Sequence, residues 1–350
     1  MDYFSEKARQ ITPYVAGVQP SEAGWVKLNA NENPYPPSQK VTDAISNFCT
    51  NELCKYPNSG CDSLRQAIAT VLDVDAKNVF CGNGSDEVLA LAYQAFFSGK
   101  DNIQTPDISY TFYPVWAQMY DVIAKNVPVA QDFSINPEDY INANGVILAN
   151  PNAPTAQVLE LDAIEQIVKN NPNGVVIIDE AYIDFTSAQS AIPLTKKYEN
   201  LLVVRTFSKS YSLAGLRVGF AVGSDVLMDG LNRLKNAFNP YPLGALEQVA
   251  ATAAILDTEY LAKVTSKIMA TRDNIINQLR DVKHLNLVPD SHTNFFLMKT
   301  GNAQDLFAHI TKHKFLIRYW QKPRISEYLR VSVGTDEDMR RFVECVKAYK

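Results

Sequence analysis

The sequence predicts an α/β protein with a large domain built on a mostly parallel sheet flanked by helices, a smaller α+β domain and an N-terminal arm. Three observations lead to this class. Short apolar runs alternate with amphipathic helical patterns through the middle of the chain. The last hundred residues change to a long helical stretch followed by short strand-like pieces. The first forty are rich in proline, asparagine and aromatic residues, which indicates an arm that packs on another part of the protein.

The middle of the chain supplies the parallel sheet. Apolar runs at 79–82, 146–150, 175–179, 201–205 and 219–223 predict strands. Between several of them, apolar residues at helical spacing predict helices at 62–72, 85–97 and 161–170, the second with Ser85 as its N-cap. Strands that alternate with helices indicate a sheet covered on both faces. We therefore predict a large domain over residues 41–245.

The C-terminal part predicts a second core over residues 246–350, because 350 residues exceed one typical core. A long helix is predicted from 245 to 282, strand-like pieces at 294–298, 315–320 and 328–333, and a final helix at 337–349. Residues 1–40 are predicted to form an arm that joins this small domain.

Composition excludes several classes of protein. The net charge is −5 with no long basic run, which argues against a nucleic-acid partner. No apolar run reaches the roughly 18 residues of a membrane span. The start, MDYFSEKARQ, has no apolar signal core, so we expect a cytoplasmic protein. Five cysteines without a CxxC pair indicate reduced thiols.

A pair of histidines is the only sequence pattern that resembles a metal-binding motif. His309 and His313 are four residues apart, so on a helix they share a face, but no HExxH glutamate accompanies them. We interpret them as part of a solvated helix face and expect no metal site.

Reactive and polar residues follow the predicted strands. Asp179 ends one strand, Lys209 follows another in TFSKS, and NGSDE follows a third. Ligands of open α/β sheets bind at the carboxyl ends of the strands, so these groups should meet in one crevice. Each residue alone has an ordinary structural explanation, such as a cap or a surface charge. Their joint placement at several strand ends favours a binding site.

The chemistry of this set fits pyridoxal phosphate. That cofactor needs an amine for a Schiff base, a carboxylate facing the pyridine nitrogen and a polar nest for the phosphate. Lys209 and Asp179 meet the first two needs. Gly84 and Ser85 open a helix whose N–H groups attract anions, yet Asp86 follows at once and repels them. A cation must offset this charge, and we expect Arg217 to supply it.

Motifs in a fixed order carry a family resemblance. They are LNANENPYPPS (28–38), KYPNSG (55–60), GNGSDEVL (82–89), NPNAPT (150–155), DEAYIDF (179–185), RTFSKSYSLAGLRVGF (205–220), NPYPLG (239–244) and YLRVSVGT (328–335). Over nearly the whole chain the sequence resembles the fold-type I pyridoxal-phosphate aminotransferases, and within them the histidinol-phosphate aminotransferases.

The resemblance implies a role for each matching residue. Lys209 holds the cofactor and shuttles the proton of the substrate Cα, Asp179 pairs the ring nitrogen, and Tyr182 contacts the phenolic oxygen. Tyr110 stacks on the ring. Tyr56 reaches the neighbouring subunit's cofactor phosphate, which implies a homodimer. The implied phosphate ligands on this chain are Gly84, Ser85, Asp86, Thr206, Ser208 and Arg217.

One stretch departs from the family pattern. Ala153 stands where the family usually has an asparagine that contacts the phenolic oxygen, and Ala156 stands in the place of a glycine. We assign the vacant role to Asn152. Asn150 is the alternative, unless it only forms a turn.

The resemblance also implies the substrates, which are histidinol phosphate and the glutamate/2-oxoglutarate pair. Arg330 matches the arginine for an α-carboxylate. With Arg318 it would give a phosphate ester two cations. Tyr14 and Asn31 of the arm are the other expected substrate contacts.

Two other functions stay open, and a third is excluded. An aromatic amino acid aminotransferase would leave Arg318 without a phosphate to bind. A non-catalytic protein of the same fold is conceivable, although the lysine, aspartate and arginine of the site are all present. A nucleotide-binding dehydrogenase lacks support because no GxGxxG follows a first strand.

Overall fold

The computed structural model of the protein describes residues 3–13, 20 and 22–349. Its helices are α1 (Glu6–Gln10), α2 (Gln39–Ser46), α3 (Asp62–Leu72), α4 (Gly84–Ala92), α5 (Tyr113–Met119), α6 (Leu161–Asn170), α7 (Asp225–Phe238), α8 (Ala245–Leu256), α9 (Thr258–Arg280), α10 (Ala303–Lys312) and α11 (Asp336–Ala348). Its strands are β1 (Val26–Lys27), β2 (Val79–Asn83), β3 (Ile103–Pro106), β4 (Ala124–Val127), β5 (Gly145–Ala149), β6 (Val175–Asp179), β7 (Leu201–Thr206), β8 (Val218–Val222), β9 (Phe295–Lys299), β10 (Phe315–Leu316), β11 (Arg318–Tyr319) and β12 (Tyr328–Ser332).

The central sheet has seven strands in the order β2-β8-β7-β6-β5-β3-β4. Strands β3 to β7 run parallel, and β8 runs antiparallel to both of its neighbours. Strands β5, β6 and β7 are buried almost throughout, as expected for a parallel sheet covered on both faces. The predicted α/β class is confirmed, and the five predicted strands lie within one residue of the observed ones.

Helices pack on both faces of this sheet because alternate residues of each strand point to opposite sides. Ile178 of β6 packs in the core formed with α3, α6 and α8. Ile177, its neighbour in sequence, packs in the core formed with α4, α5 and α7. The predicted N-cap of α4 is wrong by two residues: the cap is Asn83, and a π-helical turn over 93–97 extends the helix.

The C-terminal residues form a second core around a three-stranded sheet of order β11-β12-β9, with α9, α10 and α11 packed on it. The helix predicted from 245 to 282 is two helices that meet at Asp257, whose carboxylate accepts a hydrogen bond from Lys40 at 2.9 Å. The arm reaches this part of the protein, since β1 pairs in parallel with β10. The predicted boundaries of the arm and the two domains stay a prediction.

Two further features bear on the setting of the protein. No helix within the described ranges is both long and apolar enough to cross a membrane. All five cysteines are free thiols, with Cys49 and Cys54 exposed and the other three buried.

Candidate active site

The carboxyl ends of the parallel strands open into a cavity of about 100 Å³. It is lined by side chains from the loops after β2, β3, β5, β6 and β7, and by the turn that precedes β8. The lining residues are Ser85, Asp86, Tyr110, Ala149, Ala153, Asp179, Ala181, Tyr182, Thr206, Ser208, Lys209 and Arg217. The structure therefore brings together all the predicted cofactor-binding residues except Gly84, Asn152 and Tyr56.

One end of this cavity is suited to an anion. Arg217 donates from Nη1 to the Ser208 hydroxyl at 3.2 Å and from Nη2 to the Asp86 carboxylate at 3.2 Å. The positive guanidinium therefore offsets the acid at the start of α4, as the sequence suggested. Gly84 has φ +78°, and a Cβ there would lie 2.6 Å from Arg217 Nη2, so only glycine leaves the arginine this position.

The backbone around this end is closely packed. A Cβ on Gly219 of β8 would lie 2.3 Å from the backbone nitrogen of Ser85. The absence of a side chain at Gly219 lets β8 approach the first turn of α4. The N–H of Asn83 donates to the Glu87 carboxylate at 2.5 Å, so Glu87 is held at the helix start and turned away from the cavity lining.

A buried carboxylate forms the opposite end. Asp179 accepts hydrogen bonds from the Tyr113 hydroxyl at 3.1 Å and from the backbone N–H of Ala181 at 3.2 Å. Burial raises the pKa of Asp179 from 3.8 to about 7, and the nearby charge of Asp86 adds to the rise. Such a carboxylate favours a cationic group facing it. Sequence reasoning missed Tyr113, because nothing in its surroundings distinguishes it from the chain's other tyrosines.

Tyr110 forms a wall of the cavity. Its hydroxyl donates to Asp86 at 2.9 Å, and its ring meets Tyr113 edge-on with centroids 5.6 Å apart. Burial, with the charge of Asp86, raises the pKa of Tyr110 well above its usual range. The ring is therefore a fixed, neutral surface on which a flat ligand can pack.

Lys209 and Tyr182 are held by the N-terminal arm. Lys209 Nζ donates to the carbonyl oxygen of Ala30 at 3.2 Å and lies 5.8 Å from the centre of the Tyr182 ring. Asn31 donates from Nδ2 to the Tyr182 hydroxyl at 2.9 Å. Ser332 fixes Asn31 in turn by accepting from its backbone N–H at 2.8 Å.

The structure does not bring Asn152 to the cavity, which corrects the role assigned to it. Its Nδ2 donates to Ile108 and Thr155, both at 2.9 Å, and its oxygen accepts from Ser109 at 2.8 Å. Those local contacts use both donor hydrogens and leave Ala153 facing the cavity. The alternative, Asn150, exchanges two hydrogen bonds with the backbone of Leu159, so it only stabilises the turn.

A second cavity of about 170 Å³ adjoins the first and shares Tyr110, Ala153, Tyr182 and Lys209 with it. Its far wall carries both predicted substrate arginines, the arm residue Asn31 and the indole of Trp320. Tyr14, the other predicted substrate contact of the arm, lies outside the described residues.

The two arginines stand directly opposite each other on antiparallel strands, Arg318 on β11 and Arg330 on β12. Arg330 donates to the carbonyl of Asn29 at 2.7 Å, and both guanidinium groups pack near the Trp320 ring. Like charges in this position repel each other. An anion between them would remove that repulsion.

Tyr56 lies away from the cavity. Its side chain is 81% exposed, and its ring stacks on Tyr241 with centroids 4.7 Å apart. In the described part of the chain it does not belong to the lining of the cavity.

The donor set of the first cavity fits pyridoxal phosphate. The guanidinium, hydroxyls and helix N–H groups at one end suit a phosphate, and the carboxylate of Asp179 suits a protonated ring nitrogen. The cradle at Gly84 and Gly219 would be filled by any side chain. Lys209 adds a primary amine to the lining of the same cavity.

Comparison with known proteins agrees with this geometry. The family described as aminotransferase class I and II matches residues 23–346. The chain therefore belongs to the class I and II aminotransferases. A histidinol-phosphate aminotransferase of Clostridium botulinum (strain Okra / Type B1) is 46% identical over 99% of this chain and 98% of its own length. A second histidinol-phosphate aminotransferase, from Brachyspira hyodysenteriae, is 43% identical over 99% of this chain and 98% of its own length. Within its class, the chain is a member of the histidinol-phosphate aminotransferase family.

Solved structures share the fold. The histidinol-phosphate aminotransferase of Sinorhizobium meliloti in complex with pyridoxal-5'-phosphate superposes with a TM-score of 0.88 at 23% identity, covering 99% of this chain and 98% of that one. The enzyme of Clostridium acetobutylicum gives a TM-score of 0.85 at 23% identity, covering 92% and 98%. The fold-type I architecture expected from the sequence is confirmed.

Proposed function

We propose that this chain uses pyridoxal 5'-phosphate to transfer an amino group between L-histidinol phosphate and 2-oxoglutarate, giving imidazole-acetol phosphate and L-glutamate. This is a step of histidine biosynthesis. The observation that carries the substrate assignment is the opposed pair Arg318 and Arg330 in the cavity next to Lys209. The curated relatives at 43–46% identity support the same assignment.

The residues of the first cavity would hold the cofactor and manage one proton. The cofactor, when bound, withdraws electrons from the substrate Cα and so makes its proton acidic. Asp179 stabilises the positive ring nitrogen on which this withdrawal depends. Lys209 takes the proton from Cα and returns it, since its amine is the basic group between the two cavities. Tyr110 holds the ring plane.

The remaining polar groups orient the cofactor. Ser85, Thr206, Ser208 and Arg217 would bind its phosphate, with the backbone of Gly84 and Asp86 at the start of α4. Tyr182 would donate to the phenolic oxygen, because Asn31 already donates to the Tyr182 hydroxyl oxygen and leaves its hydrogen available. With Ala153 in the family's asparagine position, Tyr182 carries this contact without a neighbouring amide.

The substrate assignment is tested with Arg318→Ala and two amino donors. A phosphate dianion uses both arginines, whereas an α-carboxylate is satisfied by one bidentate arginine. We expect kcat/KM for histidinol phosphate to fall about 100-fold, corresponding to one or two lost hydrogen bonds between charged groups. The value for glutamate should fall less than about tenfold, because one bidentate arginine suffices for it.

Lys322→Ala is the matched control, since Lys322 is an exposed cation at the mouth of the same region and outside the second cavity. Equal losses for the two donors in Arg318→Ala, or turnover of aromatic amino acids but not of histidinol phosphate, would favour the aromatic aminotransferase instead. A Lys209→Ala variant with wild-type turnover would rule out the mechanism.

We further propose a cytoplasmic homodimer. The free thiols support a reducing compartment. The exposed, stacked ring of Tyr56 supports a contact with the neighbouring subunit's cofactor phosphate. If each site combines Lys209 of one subunit with Tyr56 of the other, a heterodimer of inactive Lys209→Ala and Tyr56→Phe subunits contains one site in which both residues are intact. Mixing the two variants should therefore restore activity. A monomeric mass in light scattering would contradict the proposal.

A further inference from the structure

Three of the chain's four histidines and one of its five cysteines gather at one end of the small C-terminal core, apart from the active site. His309 and His313 belong to the end of α10, and Cys345 lies on α11. One ligand atom from each of these three residues lies within 4.8 Å of the others. None of the three lines the two cavities of the active site.

The hydrogen bonds of the two imidazoles suit metal ligands. One ring nitrogen of His309 contacts the carbonyl oxygen of Cys345 at 3.0 Å, and Nδ1 of His313 contacts the carbonyl oxygen of His309 at 2.8 Å. A ring nitrogen that donates to a carbonyl leaves the other nitrogen of a neutral imidazole with a free lone pair. This is the usual arrangement of a histidine bound to a metal, because the carbonyl fixes its tautomer and orientation.

A third histidine packs on the same tyrosine as His309. The rings of His284 and His309 both meet Tyr349 edge-on, with centroids 5.1 and 5.4 Å away. The Nε2 atom of His284 is buried and has no hydrogen-bond partner among residues 3–13, 20 and 22–349. A buried polar nitrogen normally has a partner, and one beside this cluster can bond either a metal or its bound water.

We propose that His309, His313 and Cys345 form a zinc site that fixes the end of α10 to α11, with the fourth position taken by water or by His284. Two imidazoles and one thiolate are typical zinc ligands, and tetrahedral zinc needs them about 3.3–3.8 Å apart. The present separations are therefore at most about 1.5 Å too wide. His313 is exposed, so a small shift of its side chain can close this gap, and the ion has a path from solvent.

The sequence could not show this site. His309 and His313 lack the glutamate of a zinc-protease helix, and Cys345 is 32 residues further along the chain. The expectation of a solvated helix face is correct for His313 only, because His309 is half-buried against α11. Residues from two helices meet here only after the small core has formed.

The test is metal binding to the untagged, full-length holoenzyme after treatment with a chelator. Zn²⁺ is titrated against a chromophoric chelator, and Co²⁺ is used as a coloured probe at wavelengths above the cofactor absorption. We expect one equivalent of tightly bound zinc and the intense visible bands of tetrahedral cobalt. His313→Gln and Cys345→Ser should each weaken zinc binding by more than about 100-fold.

The chain offers matched controls. His292→Gln removes the fourth histidine, which contacts Thr186 outside the cluster, and Cys49→Ser removes an exposed cysteine. Both should bind zinc like the wild type. Because Cys345 is buried and its variant could unfold, His313→Gln at an exposed position keeps the test valid. Absence of stoichiometric zinc in the wild type, or equal affinity in His313→Gln, would overturn the proposal.

Discussion

Replacing Asp179 by asparagine should stabilise the cofactor-free chain at pH 8. Burial raises the pKa of this carboxyl from 3.8 to about 7, a difference of about three pH units. At about 1.4 kcal/mol for each unit, the ionised carboxylate costs the folded chain about 4 kcal/mol. A cofactor whose ring nitrogen is positive offsets this cost. An asparagine never incurs it.

The surroundings of Asp179 can accept the amide without a lost hydrogen bond. The asparagine Oδ1 can accept from the Ala181 N–H, and its Nδ2 can donate to the Tyr113 oxygen, which now accepts instead of donating. The substitution therefore removes the charge and keeps the shape and both contacts, although the buried Tyr113 hydroxyl hydrogen loses its acceptor. The electrostatic cost is thus the upper limit of the predicted gain.

The pH dependence separates this cause from others. Because the folded pKa lies above the unfolded one, the folded wild type binds its proton more tightly. The stabilisation of the folded wild type by this proton is fully present below about pH 4 and is lost as the pH rises to about 7. The advantage of Asp179→Asn should thus be about 4 kcal/mol at pH 8 and about 3 kcal/mol smaller at pH 5.

Denaturant unfolding of the cofactor-free proteins at the two pH values measures these differences. Asp281→Asn, at an exposed position after α9, is the control and should change the free energy of unfolding by less than about 0.5 kcal/mol. With pyridoxal phosphate added, the wild type should gain more stability than Asp179→Asn. A variant no more stable than the wild type at pH 8, or a gain that does not vary with pH, would refute the reasoning.

Two further substitutions test the packing that supports the site. Arg205→Met removes a buried arginine and leaves the half-buried Asp184 without its cation, so it should lower the free energy of unfolding by about 3 kcal/mol. The loss should shrink in the double variant with Asp184→Asn, and an equal loss in both would contradict an ion-pair role. Gly219→Ala places a methyl group 2.3 Å from the Ser85 nitrogen. It should weaken pyridoxal phosphate binding by about tenfold or more, as measured by equilibrium dialysis, whereas Gly215→Ala, with open space around it, should not.

The sequence predicted the buried strands well because their patterns are strong. Strand β6 is predicted to the residue, as a continuous apolar run must be when both faces of a parallel sheet are covered. Strands β3 and β4 were not predicted. They lie at one side of the sheet, and the sequence of β4, AKNV, is mostly exposed and carries no apolar periodicity. Such strands depend on backbone pairing with their neighbours more than on their own side chains.

The site was predictable where it depends on strand ends. Asp179 ends one strand of the sheet, Lys209 follows another and Arg217 directly precedes a third, so topology alone brings them together. Asn152 was wrongly placed because an amide can bond to many partners, and its nearest ones, Ile108 and Thr155, are chosen only in the folded loop. A local pattern gives the residue type at a position and leaves its hydrogen-bond partner open.

The arm shows why the site could not be completed from motifs alone. Residues 29–31 contact three groups from three different elements: Ala30 accepts from Lys209, Asn31 donates to Tyr182, and Asn29 accepts from Arg330. These partners lie roughly 150 to 300 positions away in the sequence. Two contacts hold this part of the arm: β1, just before the segment, pairs with β10, and Ser332 accepts a hydrogen bond from the Asn31 N–H. Three consecutive residues therefore help to set the positions of the amine, the phenol and one substrate arginine, so the geometry of the active site depends on where the arm lies.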